Sequence, residues 1–114
     1  SKEDAAEVIG WGQCEDDITQ PPPDLTKLTT TEKAVKLAYE RTGISIQDIG
    51  VLEVHDCFTI SGVLAMEAVG AVGYGEGADF VKEGRTRIDG DLPTNATGGL
   101  IGYGHPVGAS GVRQ

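Results

Sequence analysis

The chain has 114 residues, enough for one domain with its own core and too few for two. Eighteen acidic residues against nine basic ones leave a formal net charge of -9, which argues against a generic nucleic-acid or anionic-membrane surface, since both need clustered Lys and Arg. No run approaches the roughly eighteen apolar residues of a membrane span and the N-terminus lacks the basic-then-apolar pattern of a secretory leader, so the expectation is a soluble, intracellular protein.

In chain order, "AAEVIGWGQ" reads as a short strand, and "CEDDITQPPPDL" as an extended connection, because three consecutive prolines cannot donate ladder hydrogen bonds. "TTTEKAVKLAYERTG" follows as a helix. Thr29 is its expected N-cap, with Glu32 three residues on as a capping box; Ala34, Val35, Ala38 and Tyr39 fall at helical spacing, and Gly43 is the stop. "GVLEVHD" reads as a strand apolar on both faces, as inside a parallel sheet covered by helices. "CFTISGVLAMEAVGAVG" suits a helix through Phe58, Val63, Leu64, Ala68 and Val69, with Gly62 costing about 1 kcal/mol relative to Ala.

"YGEGADFVKEGRTRIDGDL" has mixed charge, Gly punctuation and no clear period, which assigns it to a surface excursion. "PTNATGG" is a further candidate strand. "HPVGASGVRQ" reads as a helix start with Pro106 suited to the first helical position. Gln114 falls about two turns into that helix with no stop signal, so the expectation is a fragment whose sheet is completed elsewhere. Helix, strand, helix in this order predicts an α/β layer architecture.

Chemistry concentrates in two places. If the strand ends at Val54 and a helix starts near Cys57, then His55, Asp56 and Cys57 lie on the carboxyl edge of the sheet, where α/β folds bind ligands. Asp56 is then a candidate N-cap, and a thiol in a first helical turn meets unpaired N–H groups and the positive end of the dipole, which favours the thiolate. His105 stands between Gly104 and Pro106 at a second strand-to-helix junction, so the two junctions are expected to converge. The bland alternative is a satisfied structural histidine beside a small buried thiol. Cys14, in "GQCEDD", reads as incidental, and with only two cysteines free thiols are the default. No metal site is expected, since no C-x-x-C or H-x-x-x-H occurs. "GYGHPVG" is G-x-G-x-x-x-G and lacks a phosphate-loop lysine, which excludes the common nucleotide fingerprints.

"EVHDCF" at Glu53 to Phe58 and "NATGGLIGYGHPVGASG" at Asn95 to Gly111, in this order and separation, resemble the thiolases, specifically the sterol carrier protein type of 3-oxoacyl-CoA thiolase. The resemblance implies a thiolase-like layered α/β fold, a mixed sheet covered by helices. It makes residues 1–114 a C-terminal thiolase domain, incomplete at its C-terminus and separated from the N-terminal domain that carries the nucleophilic cysteine. It implies thiolytic cleavage of 3-oxoacyl-CoA, or the reverse Claisen condensation. Acyl-CoA and CoA are then substrates, no resident cofactor is needed, and the assembly is a homodimer or larger. The compartment would be the cytoplasm in a bacterium or archaeon, and peroxisomes or mitochondria in a eukaryote.

By motif, His55 resembles the residue that holds an oxyanion-hole water, Cys57 the acid/base cysteine, and His105 the histidine that activates the nucleophile and donates to the same hole. Gly104, Pro106 and Gly108 shape that loop, and Phe58 closes the H-D-C-F motif. Neither Cys14 nor Cys57 lies in the nucleophile's motif, so this polypeptide alone is expected to be inactive. Two rivals remain: a thiolase-fold retro-aldol lyase acting on steroid side-chain CoA thioesters, in which tyrosines such as Tyr103 replace cysteine chemistry, and a non-catalytic scaffold that binds acyl-CoA or a partner protein.

Overall fold

The computed structural model describes residues 5–114. Five α-helices carry the fold: α1 (Thr29–Thr42), α2 (Thr59–Ala68), α3 (Gly77–Lys82), α4 (Gly99–Tyr103) and α5 (Ser110–Arg113), with 3-10 turns at Ile46–Asp48 and Val107–Ala109. None is long and apolar enough to cross a membrane.

Helix α1 ends where the sequence says it should. Gly43 adopts φ 73°, a left-handed position that glycine takes without a Cβ penalty, and its N–H reaches back to Tyr39 O at 2.8 Å. Its start differs. Thr29 is already the first helical residue and Leu28 occupies the cap position, with Glu32 N–H on Leu28 O at 2.9 Å, so the expected Thr29/Glu32 capping box does not form. Ser45 and Asp48 instead make the reciprocal contact at the next turn. The Asp48 carboxylate accepts from both the Ser45 N–H and O–H at 2.8 Å, which holds its carboxyl below the ordinary aspartate range.

The expected first strand, residues 5–13, is not a strand. Its glycines lie against α1: a Cβ on Gly12 would overlap Ala34 O, and one on Gly10 the Thr42 side chain. Arg41 stacks 4.2 Å from the Trp11 ring and donates to Trp11 O at 2.8 Å. A segment held lengthwise on a helix leaves no strand edge facing it.

The mixed sheet is likewise absent among the described residues, where β structure amounts to one parallel bridge between Leu52 and Thr94. Its two bonds are Leu52 N–H to Pro93 O (2.9 Å) and Asn95 N–H to Leu52 O (2.8 Å). The ladder stops there for a local reason. Asn95 sits at φ 52°, a left-handed conformation that Asn tolerates better than most residues, and its side-chain Oδ1, not its backbone carbonyl, accepts the Val54 N–H at 2.8 Å. Val54 O is taken by Gln114 Nε2 at 2.6 Å. Side chains thus consume the groups that a second rung would need.

The core forms between α2 and α3 and the bridge: Val54, Ala65, Met66, Phe80 and Leu92 are buried together, with Leu28, Ile46, Ile49, Leu52, Ala71 and Val72 packed around them. Tyr39 ties α1 to this unit by donating its hydroxyl to Val69 O at 3.0 Å, and burial pushes its phenol above the ordinary tyrosine value. The expected surface excursion at 74–92 therefore contributes to the core through Phe80 and Leu92. Gly77, the first residue of α3, is buried against α2. Its N–H is accepted by Glu67 Oε1 at 3.0 Å, and a Cβ there would stand 2.6 Å from Val63 O.

Candidate functional site

The two motif-bearing segments lie side by side because side chains of one satisfy the backbone of the other. Glu53 Oε1 accepts the Thr97 N–H (3.0 Å) while its Oε2 accepts the Thr97 hydroxyl (2.9 Å). Asn95 accepts the Val54 N–H, as described above. Asp56 Oδ1 accepts the N–H of Leu100, at the second position of α4, at 3.0 Å. Asp56, expected to cap its own following helix, thus satisfies a first-turn N–H of a helix some forty residues away, one of the donors that a helix start leaves unpaired.

That clamp explains a glycine. Gly99 sits at φ 59°, and a Cβ on it would overlap Asp56 Oδ2 and approach Asn95 Nδ2 to 3.2 Å. Removing the carboxylate leaves a backbone N–H without an acceptor at Leu100, a residue only 7% exposed. Asp56→Ala is accordingly expected to cost about 1–3 kcal/mol in chemical denaturation, and Asp56→Asn, which keeps an acceptor oxygen, less. An alanine variant as stable as the parent would show that the clamp contributes nothing.

With the segments clamped, the two histidines meet. The rings of His55 and His105 stand edge to face, centroids 4.9 Å apart and planes at 69°. His105 Nδ1 lies 2.7 Å from Ser110 Oγ. Gly104, at φ 85° with its N–H on Leu100 O (2.9 Å), ends α4 and makes the turn into His105, a conformation that requires glycine. Pro106 precedes the 3-10 turn and does not open the following α-helix; Ala109 N–H bonds its carbonyl at 2.9 Å. Gly108 lies within that turn with open space where a Cβ would go, so no steric need for glycine appears there. Val107 sits at φ 34°, an outlier for a β-branched residue, and such strain of order 1–3 kcal/mol concentrates at functional loops.

Cys57 is placed differently from expectation. The helix begins at Thr59 with Phe58 as the cap residue, so Cys57 lies before the first turn, its thiol directed to Ser61 Oγ at 4.0 Å. Cys57, His55 and His105 are all exposed, and Phe58 is 72% exposed. A groove of about 300 Å³ runs beside α2, lined by Val54, Asp56, Val63, Met66, Thr94 and Ile101 among others; the histidines and Cys57 do not line it. Cys14 is half-buried, its thiol on Glu15 O at 3.7 Å.

The sequence did not single out three residues: Glu53 and Asn95 act through bonds that span more than forty residues, and Ser110 through a contact five residues away that no helical or strand period announces. Tyr103 was named for the lyase alternative. Its hydroxyl is buried with no hydrogen-bond partner among the described residues. Burial, then the nearby Glu53 and Asp56 carboxylates, push its phenol above the ordinary value, which the Arg113 guanidinium 5.0 Å from the ring partly offsets.

Residues 12–114 match the family described as thiolase C-terminal domain-like. The acetyl-CoA acetyltransferase of Methanothermobacter thermautotrophicus is 46% identical over 91 residues, covering 80% of this chain and 24% of that protein. Benzoylsuccinyl-CoA thiolase subunit BbsB of Thauera aromatica is 39% identical over 93 residues, covering 82% of this chain and 24% of its own. Sterol carrier protein 2 of Homo sapiens is 40% identical over 84 residues, covering 74% and 15%. Among solved structures, an Ltp2-ChsH2(DUF35) aldolase superposes with a TM-score of 0.74 at 26% identity, over 82% of this chain and 26% of that one. The chain thus spans about a quarter or less of the length of these relatives, and its helices and clamped loops follow a thiolase-like fold. The chain belongs to the thiolase C-terminal domain-like family.

Proposed function

We propose that the protein containing this chain is a thiolase-type acyl-CoA acyltransferase that cleaves 3-oxoacyl-CoA with CoA or runs the reverse condensation. The observation that carries the reading is the meeting of His55 and His105, fifty residues apart in sequence, at an edge-to-face distance of 4.9 Å. Two imidazoles so close can address one oxygen. The chemistry needs that, because a Claisen step removes a proton next to a thioester carbonyl and must stabilise charge on the enolate oxygen with preorganised donors. In this reading His105 donates to the oxygen directly and His55 through a held water, Cys57 moves the proton, and Gly104 and Pro106 set the loop. CoA enters as a substrate. The nucleophilic cysteine comes from an N-terminal thiolase domain, and the assembled enzyme is a dimer or larger.

The test is to incubate the full-length protein with acetoacetyl-CoA and CoA and to follow loss of the 3-oxo thioester and formation of two acetyl-CoA. A second reading, a retro-aldol lyase, is favoured by the likeness to a structure named an aldolase and by the unpartnered Tyr103 hydroxyl. Cleavage of a 3-hydroxyacyl steroid side-chain CoA thioester, with no thiolysis of acetoacetyl-CoA, decides for the lyase. Turnover of neither substrate leaves a binding scaffold.

A further inference from the structure

Ser110 is the most deeply buried polar side chain among the described residues, with 1% of its surface exposed. Its backbone carbonyl accepts the Gln114 N–H at 3.0 Å. Its hydroxyl has one hydrogen-bond partner among the described residues, His105 Nδ1 at 2.7 Å.

A hydroxyl carries one proton and two lone pairs, and a neutral imidazole carries one N–H and one bare nitrogen, so the contact has two forms. If Nδ1–H donates to Ser110, the serine's own proton is left buried with no acceptor among the described residues, and the full desolvation penalty of an unmade bond falls on it. If Ser110 donates to a bare Nδ1, both groups are satisfied and the ring proton sits on Nε2. Burial selects the second form.

We infer that Ser110 is a positioning residue: by donating to Nδ1 it holds neutral His105 in the Nε2–H tautomer, so that the ring meets its ligand as a hydrogen-bond donor. A carboxylate or a backbone carbonyl at the same place would accept only and would force the opposite tautomer, with a bare Nε2 suited to taking a proton. The fold places a hydroxyl there through a tight reversal. The 3-10 turn at Val107–Ala109, with Val107 in its left-handed conformation, brings residue 110 back beneath the ring of residue 105. The catalytic meaning, a donor aimed at a thioester oxygen, rests on the acyltransferase reading; the tautomer does not.

The test labels histidine with ¹³C and ¹⁵N in the full-length protein and reads His105 by NMR, with a His55→Asn variant assigning the two histidines of this chain. The expected result is a single tautomer with Nε2 protonated and a Ser110 hydroxyl proton that exchanges slowly and correlates with Nδ1. Ser110→Ala should give mixed tautomers and lower kcat for thiolysis about 10-fold to 100-fold with KM nearly unchanged. Ser110→Thr, which keeps a hydroxyl, should restore the single tautomer and most of the rate. A protonated Nδ1 in the parent protein overturns the inference, as does an alanine variant whose tautomer is unaltered. The expected tautomer in a protein with no thiolysis upholds the inference while removing the acyltransferase reading.

Discussion

Replacing His105 with alanine in the full-length protein should lower kcat for thiolysis of acetoacetyl-CoA by roughly 10²–10³, the usual consequence of removing one preorganised donor from a developing oxyanion. The ring is exposed and edge to face with His55, so its loss opens no cavity in the core. It does orphan a buried hydroxyl, because Ser110 loses its partner, and the variant should therefore also be about 1–3 kcal/mol less stable. The two effects can be separated. Adding Ser110→Ala to His105→Ala removes both ends of the bond, and since deleting a paired donor and acceptor together is close to neutral, most of the stability should return while the rate stays low. A single variant that turns over within a few-fold of the parent removes His105 from the chemistry, and a double variant that regains the rate makes its role one of folding alone.

The two histidine-bearing turns were legible because each depends on short-range spacing. "HDCF" and "GHP" place histidines at turns between elements, and the prediction that those turns converge agrees with the 4.9 Å contact. The α1 helix and its Gly43 stop were legible for the same reason, since periodicity and a left-handed glycine are local signals. What failed was pairing. "GVLEVHD" and "PTNATGG" do approach each other in parallel, but the side chains of Asn95 and Gln114 take the Val54 backbone groups that a ladder would use, and nothing in either segment marks a polar side chain that displaces a strand's backbone.

Asp56 shows the same limit from the other side. The expectation that Asp56 is the N-cap of the helix following it fails, because Phe58 holds that position; its carboxylate instead accepts a first-turn N–H of α4, across the clamp. The local rule identified the residue and its chemistry, and only the tertiary arrangement could name the partner. The Cys57 expectation shifted by a smaller margin: Phe58 takes the cap position, which leaves the thiol just outside the first turn, where the helix field is weaker.

The same contrast sets the largest stability effect. Phe80 lies in a stretch too short and too rich in glycine for a helical period to register, yet it is 3% exposed and packs with Val54, Met66 and Leu92. The Arg85 guanidinium lies 4.4 Å from its ring, and its Nε is fixed by Asp91 at 2.6 Å, which adds a cation–π contact of about 0.5–1 kcal/mol at an exposed position. Phe80→Ala in the full-length protein should cost about 3–5 kcal/mol, combining lost transfer energy with a cavity between α2 and α3. Phe80→Leu, which refills most of the volume, should recover much of that loss. Because Val54 belongs to the same cluster and His55 follows it, the alanine variant should also lower kcat even under conditions where it remains folded. Urea midpoints for the two variants, read beside their rates, give the answer. An alanine variant within about 1 kcal/mol of the parent would mean that residues 74–92 lie on the surface after all and leave the histidine loop unsupported from below.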